Sequence, residues 1–430
     1  MATEKQKKLL HSYIDKNKDY LLDMLRRFVR LPSLEGDEAP MQQAVVDELN
    51  KMGASLTLDV FEPDITLLKA HPAYVPVELD YAGRPNVVAT RRGAGGGKSL
   101  ILNGHVDVVP TGRDELWKHK TPWSGAYEDG RVYGRGACDM KAGLAVNIFM
   151  LKMLNELGLS TLGDLTVESV VDEETGGNGT LACVLRGYRA DGMIYTEPSG
   201  LEEINISNRG AQYFRIIVEG QEGGTEYAHE LINPIDKAFE LMQAVRAYSI
   251  YREAAASHPL YDGFHSTKVP LAIAKIRAGE WPSTIAGECV MEGTIECLPG
   301  EDIHEVKEAF RQYLVKWCEK DSWLKEHPIR LEWFGLWFEA ADQDPQAPFI
   351  QAFKSSASGY RGKNLPLVGA GGCDLRISIL YGDTPSIMFG PSGGLIHSTD
   401  EYVEFFEVVE CAHILAEFIA DWCGLAEETA

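Results

Sequence analysis

A histidine and an aspartate near the end of one apolar run are the first residues in this sequence whose spacing suggests chemistry. In LILNGHVDVVP, His105 is followed two residues later by Asp107. Side chains two residues apart on a strand point to the same side, so the Asp107 carboxylate can accept the second imidazole N–H. A carboxylate placed in this way determines which ring nitrogen faces a metal ion. The alternative is a buried histidine that simply hydrogen-bonds to a neighbouring acid.

Three other motifs with carboxylates, and one with a second histidine, also lie at or near the C-terminal ends of predicted strands. Asp139 lies in the turn of YGRGACDMKAG just before a helix, where it could equally serve as an N-cap. VVDEETGG ends an apolar run with the acids Asp172–Glu174, which would repel one another when buried unless a cation lay among them. An exposed acidic turn is the alternative there. MIYTEPSG ends an apolar run with Glu197, and the glycine-rich GPSGGLIHSTDEYV carries His397.

Taken together, these side chains predict a site for two zinc ions. Two imidazoles with three carboxylates are the set expected for a pair of Zn²⁺ ions that share a bridging carboxylate. Open α/β sheets build their sites at the C-terminal ends of strands, which is where these motifs fall. The eight cysteines are scattered without a CxxC pair, so we do not expect a zinc ion held by thiolates. This pattern is typical of reduced thiols in a cytoplasmic protein.

Alternating strands and helices are predicted to position these motifs. Residues 99–109 and 165–174 read as buried strands, and residues 142–158 as a long helix that is apolar nearly all round. The same alternation resumes after about residue 336 with TPSIMFG and a helix over 408–422. It predicts one α/β domain made of residues 1–207 together with 336–430.

Residues 208–335 have a different order of elements. A strand, a helix, two strands, a helix and a last strand follow one another, which is the βαββαβ order of a ferredoxin-like sandwich. The helix in NPIDKAFELMQAVRAYS is expected to bury one face formed by Ile235, Phe239, Met242 and Val245. The simplest organisation is an α/β domain interrupted by this inserted domain.

Charge and hydropathy exclude two classes of function. The 430 residues include 41 Lys and Arg against 64 Asp and Glu, for a formal charge of −23. A chain this acidic, without a long basic run, is a poor ligand for nucleic acid or for an anionic membrane surface. It also lacks a signal-peptide core and any run of ~18 apolar residues. We therefore expect no nucleic-acid or membrane partner.

The motifs resemble those of a known family. GHVDVVP, YGRGACDMKAG, DEETGG, TEPSG and HSTDEYV match, in order and spacing, the signature blocks of the M20 metallopeptidases and aminoacylases. This family includes acetylornithine deacetylase, succinyl-diaminopimelate desuccinylase and glutamate carboxypeptidase. The resemblance spans almost the whole chain. It implies a zinc-peptidase-like catalytic domain with a central mixed sheet flanked by helices, and it implies that the βαββαβ insertion is a lid and dimerisation domain.

The resemblance also implies a set of metal ligands. His105, Asp139 and Glu197 would hold one zinc ion. Asp139, Glu174 and His397 would hold the second, so that Asp139 bridges the pair. Co²⁺ or Mn²⁺ would be able to substitute for Zn²⁺.

The catalytic groups follow from the same resemblance. Glu173 would be the general base that acts on a metal-bridging water, and Asp107 would orient His105. The Asp139–Met140 peptide bond would be cis. Arg376 in GGCDLR occupies the family's Asp-x-Arg position, where a guanidinium can bind a substrate carboxylate; a structural ion pair is the alternative.

The lid departs from the family pattern at one position. In the family, a histidine after the first lid strand reaches the partner subunit's active site and stabilises the oxyanion of the intermediate. Here that position falls on or near Glu222, and His229 comes seven residues later (229 − 222). Either His229 has taken over through a rearranged loop, or the donor is absent and Glu222 serves another purpose, such as binding a cationic substrate group.

The function predicted from the sequence is a homodimeric, cytoplasmic dizinc deacylase. It would cleave the amide bond of an N-acyl amino acid or of a related small amide that bears a carboxylate. One alternative is a small dipeptidase or carboxypeptidase of the same fold. Another is a metal-binding homologue with impaired catalysis, because the lid histidine is displaced.

Overall fold

The structure is a computed structural model that describes residues 2–426. Its helices are α1 (Glu4–Val29), α2 (Ala39–Asn50), α3 (Ile65–Lys69), α4 (Ala142–Glu156), α5 (Asn178–Leu185), α6 (Pro234–Ala255), α7 (Ile303–Cys318), α8 (Ser322–Glu326), α9 (Pro348–Arg361), α10 (Leu375–Leu380) and α11 (Phe405–Trp422). Its strands are β1 (Thr57–Phe61), β2 (Asn86–Arg91), β3 (Leu100–His105), β4 (Ala126–Glu128), β5 (Arg131–Tyr133), β6 (Leu165–Val170), β7 (Met193–Tyr195), β8 (Ile204–Asn208), β9 (Gly210–Glu219), β10 (Gly223–Gly224), β11 (Leu271–Ala278), β12 (Thr284–Ile285), β13 (Glu288–Cys297), β14 (Arg330–Phe338), β15 (Leu367–Ala370), β16 (Ser386–Met388), β17 (Gly393–Gly394) and β18 (Tyr402–Glu404).

The chain divides into two compact units. One unit comprises Met1–Ser207 with Asp342–Ala430, and the other comprises Asn208–Ala341. The sequence pattern places the second boundary at residue 335, whereas the second unit extends to 341. The difference arises because β14 runs on to Phe338 and the backbones of Asn208 and Ala341 then bond to each other.

The first unit is built on an eight-stranded mixed sheet with the order β1-β2-β6-β3-β7-β16-β8-β15. Helix α4 packs against β3 and β6 and also against α1 and α11, which explains why its sequence is apolar nearly all round. Gly143 lets the start of α4 lie against the segment that follows β7, since a Cβ there would lie 1.9 Å from the carbonyl oxygen of Thr196. Within the described residues, no helix is both long and apolar enough to span a membrane.

A smaller sheet in the same unit, β17-β18-β5-β4, joins two distant parts of the chain. Strand β18 pairs antiparallel with β5, with Val403 opposite Val132. The loop before β18 and the turn after β5 are therefore held next to each other. His397 lies in that loop and Asp139 in that turn.

The second unit has the βαββαβ order, with α6 and α7 packed on a four-stranded antiparallel sheet of order β11-β13-β9-β14. The predicted buried face of α6 is wrong for two residues. Ile235 is 46% exposed and Phe239 is 61% exposed, whereas Ala238, Leu241 and Val245 are buried. Two apolar rows run along this helix, and the row with Ala238, Leu241 and Val245 packs against the sheet. Tertiary packing therefore selects a row that periodicity alone does not distinguish.

Candidate metal centre

Three of the motif segments follow neighbouring parallel strands. Strand β3 ends at His105, β6 ends three residues before Glu173, and β7 ends two residues before Glu197. Strand β3 pairs in parallel with both β6 and β7. The C-terminal ends of these strands therefore meet at one edge of the sheet.

Asp139 reaches the same place from the turn that precedes α4. Its backbone has φ −113° and ψ 96°, outside the helical region, and the Asp139–Met140 peptide bond is cis, as expected. The N-cap position of α4 is Lys141, and no side chain caps this helix. The N-cap interpretation of Asp139 is therefore wrong, and its carboxylate is available to the site.

The two carboxylate oxygens of Asp139 each face a different histidine. Oδ1 lies 3.2 Å from His105 Nε2, and Oδ2 lies 3.2 Å from His397 Nε2. Glu197 Oε1 is 3.5 Å from His105 Nε2, while Glu174 Oε2 is 3.2 Å from His397 Nε2. The five side chains thus form two donor sets that share Asp139. One donor atom each from His105, Asp139 and Glu174 lies within 4.8 Å of the other two.

Burial strongly disfavours negative charge in this cluster. It raises the pKa of Glu197 to about 8, and it also raises the pKa of Glu174, where the nearby charge of Asp139 adds to it. Burial acts in the same direction on Asp139, but hydrogen bonds with His105 and His397 outweigh it and lower the pKa of that carboxyl. The Nε2 atoms of His105 and His397 each lie within 3.5 Å of two carboxylate oxygens. Imidazole nitrogen and carboxylate oxygen are the donors that zinc takes, so the residues fit a divalent cation.

The site residue Asp107 orients His105 through its main chain. His105 Nδ1 lies 2.9 Å from the Asp107 carbonyl oxygen, while the nearer carboxylate oxygen is 3.6 Å away. The carboxylate instead accepts hydrogen bonds from the N–H groups of Glu173 at 3.2 Å and Glu174 at 3.0 Å. Asp107 therefore holds the backbone of both acids in addition to the ring of His105.

The acidic turn after β6 is not an exposed turn, since Asp172 is buried and Glu173 and Glu174 are half-buried. Asp172 is fully buried and accepts hydrogen bonds from Tyr81 at 2.5 Å and Asn178 at 3.0 Å. Burial raises the pKa of the next acid, Glu173, well above its usual value, and the charge of Asp374 adds to this effect. Asp374 is a buried neighbour of the site that the sequence analysis did not identify. Only its position in GGCDLR could have drawn attention to it.

Arg376 is fully buried, and its guanidinium donates to the Gly176 carbonyl oxygen at 2.9 Å. This contact joins Arg376 to the loop that follows Glu174. It corresponds to a structural role, and binding of a substrate carboxylate by Arg376 stays a prediction.

Glu222 and His229 both lie in the second unit. Glu222 is exposed in the segment between β9 and β10. The His229 side chain is 74% exposed, and its Nε2 is 3.3 Å from Glu230 Oε1. Whether either residue acts on a substrate stays a prediction.

Glu401, in the HSTDEYV motif, is a second residue that the sequence analysis missed. It is fully buried and accepts hydrogen bonds from the backbone N–H groups of Cys138 and Asp139. Its position four residues after His397 was visible in the sequence. That spacing alone does not indicate contact with the Asp139 turn.

Comparison with known proteins supports the family resemblance. The model of the peptidase family M20/M25/M40 matches residues 101–421. The N-formyl-4-amino-5-aminomethyl-2-methylpyrimidine deformylase of Halalkalibacterium halodurans is 30% identical over an alignment 451 positions long, which covers 97% of each chain.

Solved structures share the fold at low sequence identity. The dipeptidase Dug1p of Saccharomyces cerevisiae has a TM-score of 0.78 at 15% identity, covering 98% of this chain and 99% of that one. A Bacillus subtilis dinuclear metal-binding peptidase of the M20 family has a TM-score of 0.61 at 16% identity, covering 95% and 99%. These structures confirm the predicted α/β fold with a central mixed sheet. The family model and the 30% identical relative establish that this chain is a metal-dependent hydrolase of the peptidase family M20/M25/M40.

Proposed function

We propose that this protein is a two-zinc amidohydrolase that removes an acyl group from the nitrogen of a small molecule. The observation that carries the proposal is the shared carboxylate of Asp139, whose two oxygens each lie 3.2 Å from a different histidine nitrogen. One ion would be held by His105, Asp139 and Glu197. The other would be held by Asp139, Glu174 and His397.

In the proposed reaction, Glu173 moves the proton. Two divalent ions, when bound, lower the pKa of water and polarise a carbonyl group. The Glu173 carboxylate would take a proton from the attacking water and deliver it to the leaving nitrogen. The Asp107 carboxylate supports this role, because its hydrogen bond to the Glu173 N–H fixes the backbone from which the base extends.

The leading substrate class is an N-formyl derivative of an aminomethyl aromatic amine. The support is the Halalkalibacterium halodurans relative, which is named as a deformylase of an aminomethylpyrimidine and aligns over 97% of both chains. The buried hydrogen bond of Arg376 to Gly176 does not favour recognition of a substrate carboxylate. N-acyl amino acids are the second candidate, on the strength of the Asp-x-Arg position of Arg376.

A substrate panel tests this proposal. Protein loaded with Zn²⁺ or Co²⁺ should be assayed with an N-formyl aminomethylpyrimidine, N-formyl and N-acetyl amino acids, and dipeptides. We expect the formamide of the aminomethylpyrimidine to give the highest kcat/KM and chelator treatment to abolish turnover. Dipeptides as the best substrates would favour a dipeptidase. No turnover of any member by metal-loaded protein would refute the hydrolysis of small amides.

We further propose that the protein is a homodimer assembled through the Asn208–Ala341 unit. Helix α6 exposes Ile235, Phe239, Ile250 and Tyr251, and β11 is an edge strand of the four-stranded sheet. Exposed apolar patches and open strand edges are features that subunit contacts cover. Light scattering should give twice the chain mass of 47.5 kDa.

A cytoplasmic location is proposed on the basis of the cysteines. All eight are free and buried, which is typical of proteins from a reducing compartment. Cell fractionation with antibody detection would test this, and recovery with secreted proteins would contradict it.

A further inference from the structure

We infer that Glu401 is a positioning residue that holds Asp139 and His397 in register with each other. The inference rests on the proposed function in one respect, because it takes these two residues as metal ligands. Glu401 acts through the main chain of the Asp139 turn and through Arg135.

The Glu401 carboxylate binds three donors from the segment that carries Asp139. Oε1 accepts hydrogen bonds from the N–H groups of Cys138 at 2.9 Å and Asp139 at 3.1 Å, and Oε2 accepts from Arg135 Nη1 at 2.6 Å. The Glu401 carbonyl oxygen also accepts from the Gly134 N–H at 2.9 Å. Glu401 and Arg135 are both buried. One residue thus binds four donors of a segment more than 260 positions away in the chain.

The turn at Asp139 depends on such an acceptor. Because the φ and ψ of Asp139 and Met140 are not helical, the N–H groups at this turn cannot rely on the regular hydrogen bonds of a helix. A buried N–H group without an acceptor is costly, and an ionised carboxylate is the strongest acceptor available in a protein. Glu401 therefore fixes the backbone from which the shared carboxylate of Asp139 extends.

Glu401 also directly follows the loop that carries His397. His397 has φ 59°, and Leu395 and Asp400 have φ 58° and 63°, all in the left-handed region that side chains disfavour. The His397 side chain is 51% exposed, so packing does little to place it. Backbone conformations of this kind persist where the surrounding structure holds them. Glu401 follows Asp400 directly and fixes that end of the loop to the Asp139 turn.

An adjacent ion pair provides a matched control. Arg131 and Glu404 lie on the same two segments, at opposed positions of β5 and β18, with Arg131 Nε 2.8 Å from Glu404 Oε1. Unlike Glu401, Glu404 pairs at the surface with a partly exposed arginine. Glu404→Gln therefore removes a carboxylate three residues further along the same segment and leaves the Asp139 turn intact.

The experiment compares the Zn²⁺ affinity of wild type, Glu401→Gln and Glu404→Gln by competition with a chromogenic chelator. We expect Glu401→Gln to lose about 10- to 100-fold in affinity, the range found for residues that support metal ligands, and Glu404→Gln to stay within twofold. A role confined to stability would change the melting temperature and leave the affinity of the folded protein unchanged. An affinity of Glu401→Gln within twofold of wild type, or an equal loss in Glu404→Gln, would overturn the inference.

Two further results are informative. If Glu401→Gln does not fold, Glu401→Asp decides by the same criterion, since it keeps the negative charge but is one methylene group shorter, which draws the carboxylate back from its donors. Wild type that binds Zn²⁺ but cleaves no amide would refute the proposed function and leave this affinity comparison valid. Wild type that binds no Zn²⁺ would overturn both.

Discussion

Glu168, a buried acid on β6, should make the stability of this protein depend on pH. Its side chain is buried and accepts a hydrogen bond from Asn103 Nδ2 at 3.0 Å. Burial raises its pKa from 4.5 to about 7, and the hydrogen bond from Asn103 opposes this only in part. The folded protein therefore prefers the protonated form of Glu168 over a range in which the unfolded chain has lost that proton.

The sign and size of the effect follow from this difference. Below pH 4.5 Glu168 is protonated in both states and has no effect. Between pH 4.5 and 7 the unfolded state releases the proton first, so the free energy of unfolding decreases with rising pH. At ~1.4 kcal/mol per pKa unit, the loss reaches about 3 kcal/mol near pH 7 and is constant above it. Glu168→Gln removes the ionisation and keeps the size of the side chain.

The assay is chemical unfolding of the metal-free protein at several pH values between 5 and 8. The quantity to follow is the free energy of unfolding of Glu168→Gln minus that of wild type, because other titrating groups cancel in this difference. We expect it to rise by roughly 2–3 kcal/mol over this range. A pH-independent difference for Glu168→Gln would refute the reasoning.

Three further predictions follow from individual contacts. Glu173→Gln should lower kcat by about 10²- to 10⁴-fold with unchanged metal content in elemental analysis; loss of the metal instead would show that Glu173 is a ligand rather than the base. Phe239→Glu should shift light scattering from dimer to monomer mass, while Phe406→Glu, at an exposed site on α11, should not; a dimer in both would exclude this face of α6. Gly143→Ala should destabilise the protein by ~1–3 kcal/mol in thermal unfolding, because the new Cβ would lie 1.9 Å from a carbonyl oxygen. Gly359→Ala should not, since nothing lies within 4 Å of a Cβ at that position. Equal melting temperatures for the two variants would contradict the close approach at Gly143.

Much of the fold and the composition of the candidate site could be predicted from the sequence, because both depend on local pattern. Three apolar runs indicate buried strands with polar C-terminal ends. One ends in His105, one in the acids after Val170, and one in Glu197. Parallel pairing then brings such ends to one edge of a sheet. Asp139 and His397 lie in loops and have no such periodic signal; residue type alone singled them out, and the family resemblance, now confirmed, implied their roles as ligands.

Other features depend on contacts between distant segments, and only the tertiary structure determines them. The orienting oxygen for His105 is a carbonyl because the Asp107 carboxylate is engaged by two amides from another strand end. The buried row of α6 is determined by the sheet beneath it. Glu401 becomes important because β18 pairs with β5 and brings its carboxylate to the Asp139 turn. The sequence by itself therefore determined which chemical groups are present and on which elements they lie. The tertiary structure determined which of their atoms meet, because hydrogen bonds between remote segments have no periodicity along the chain.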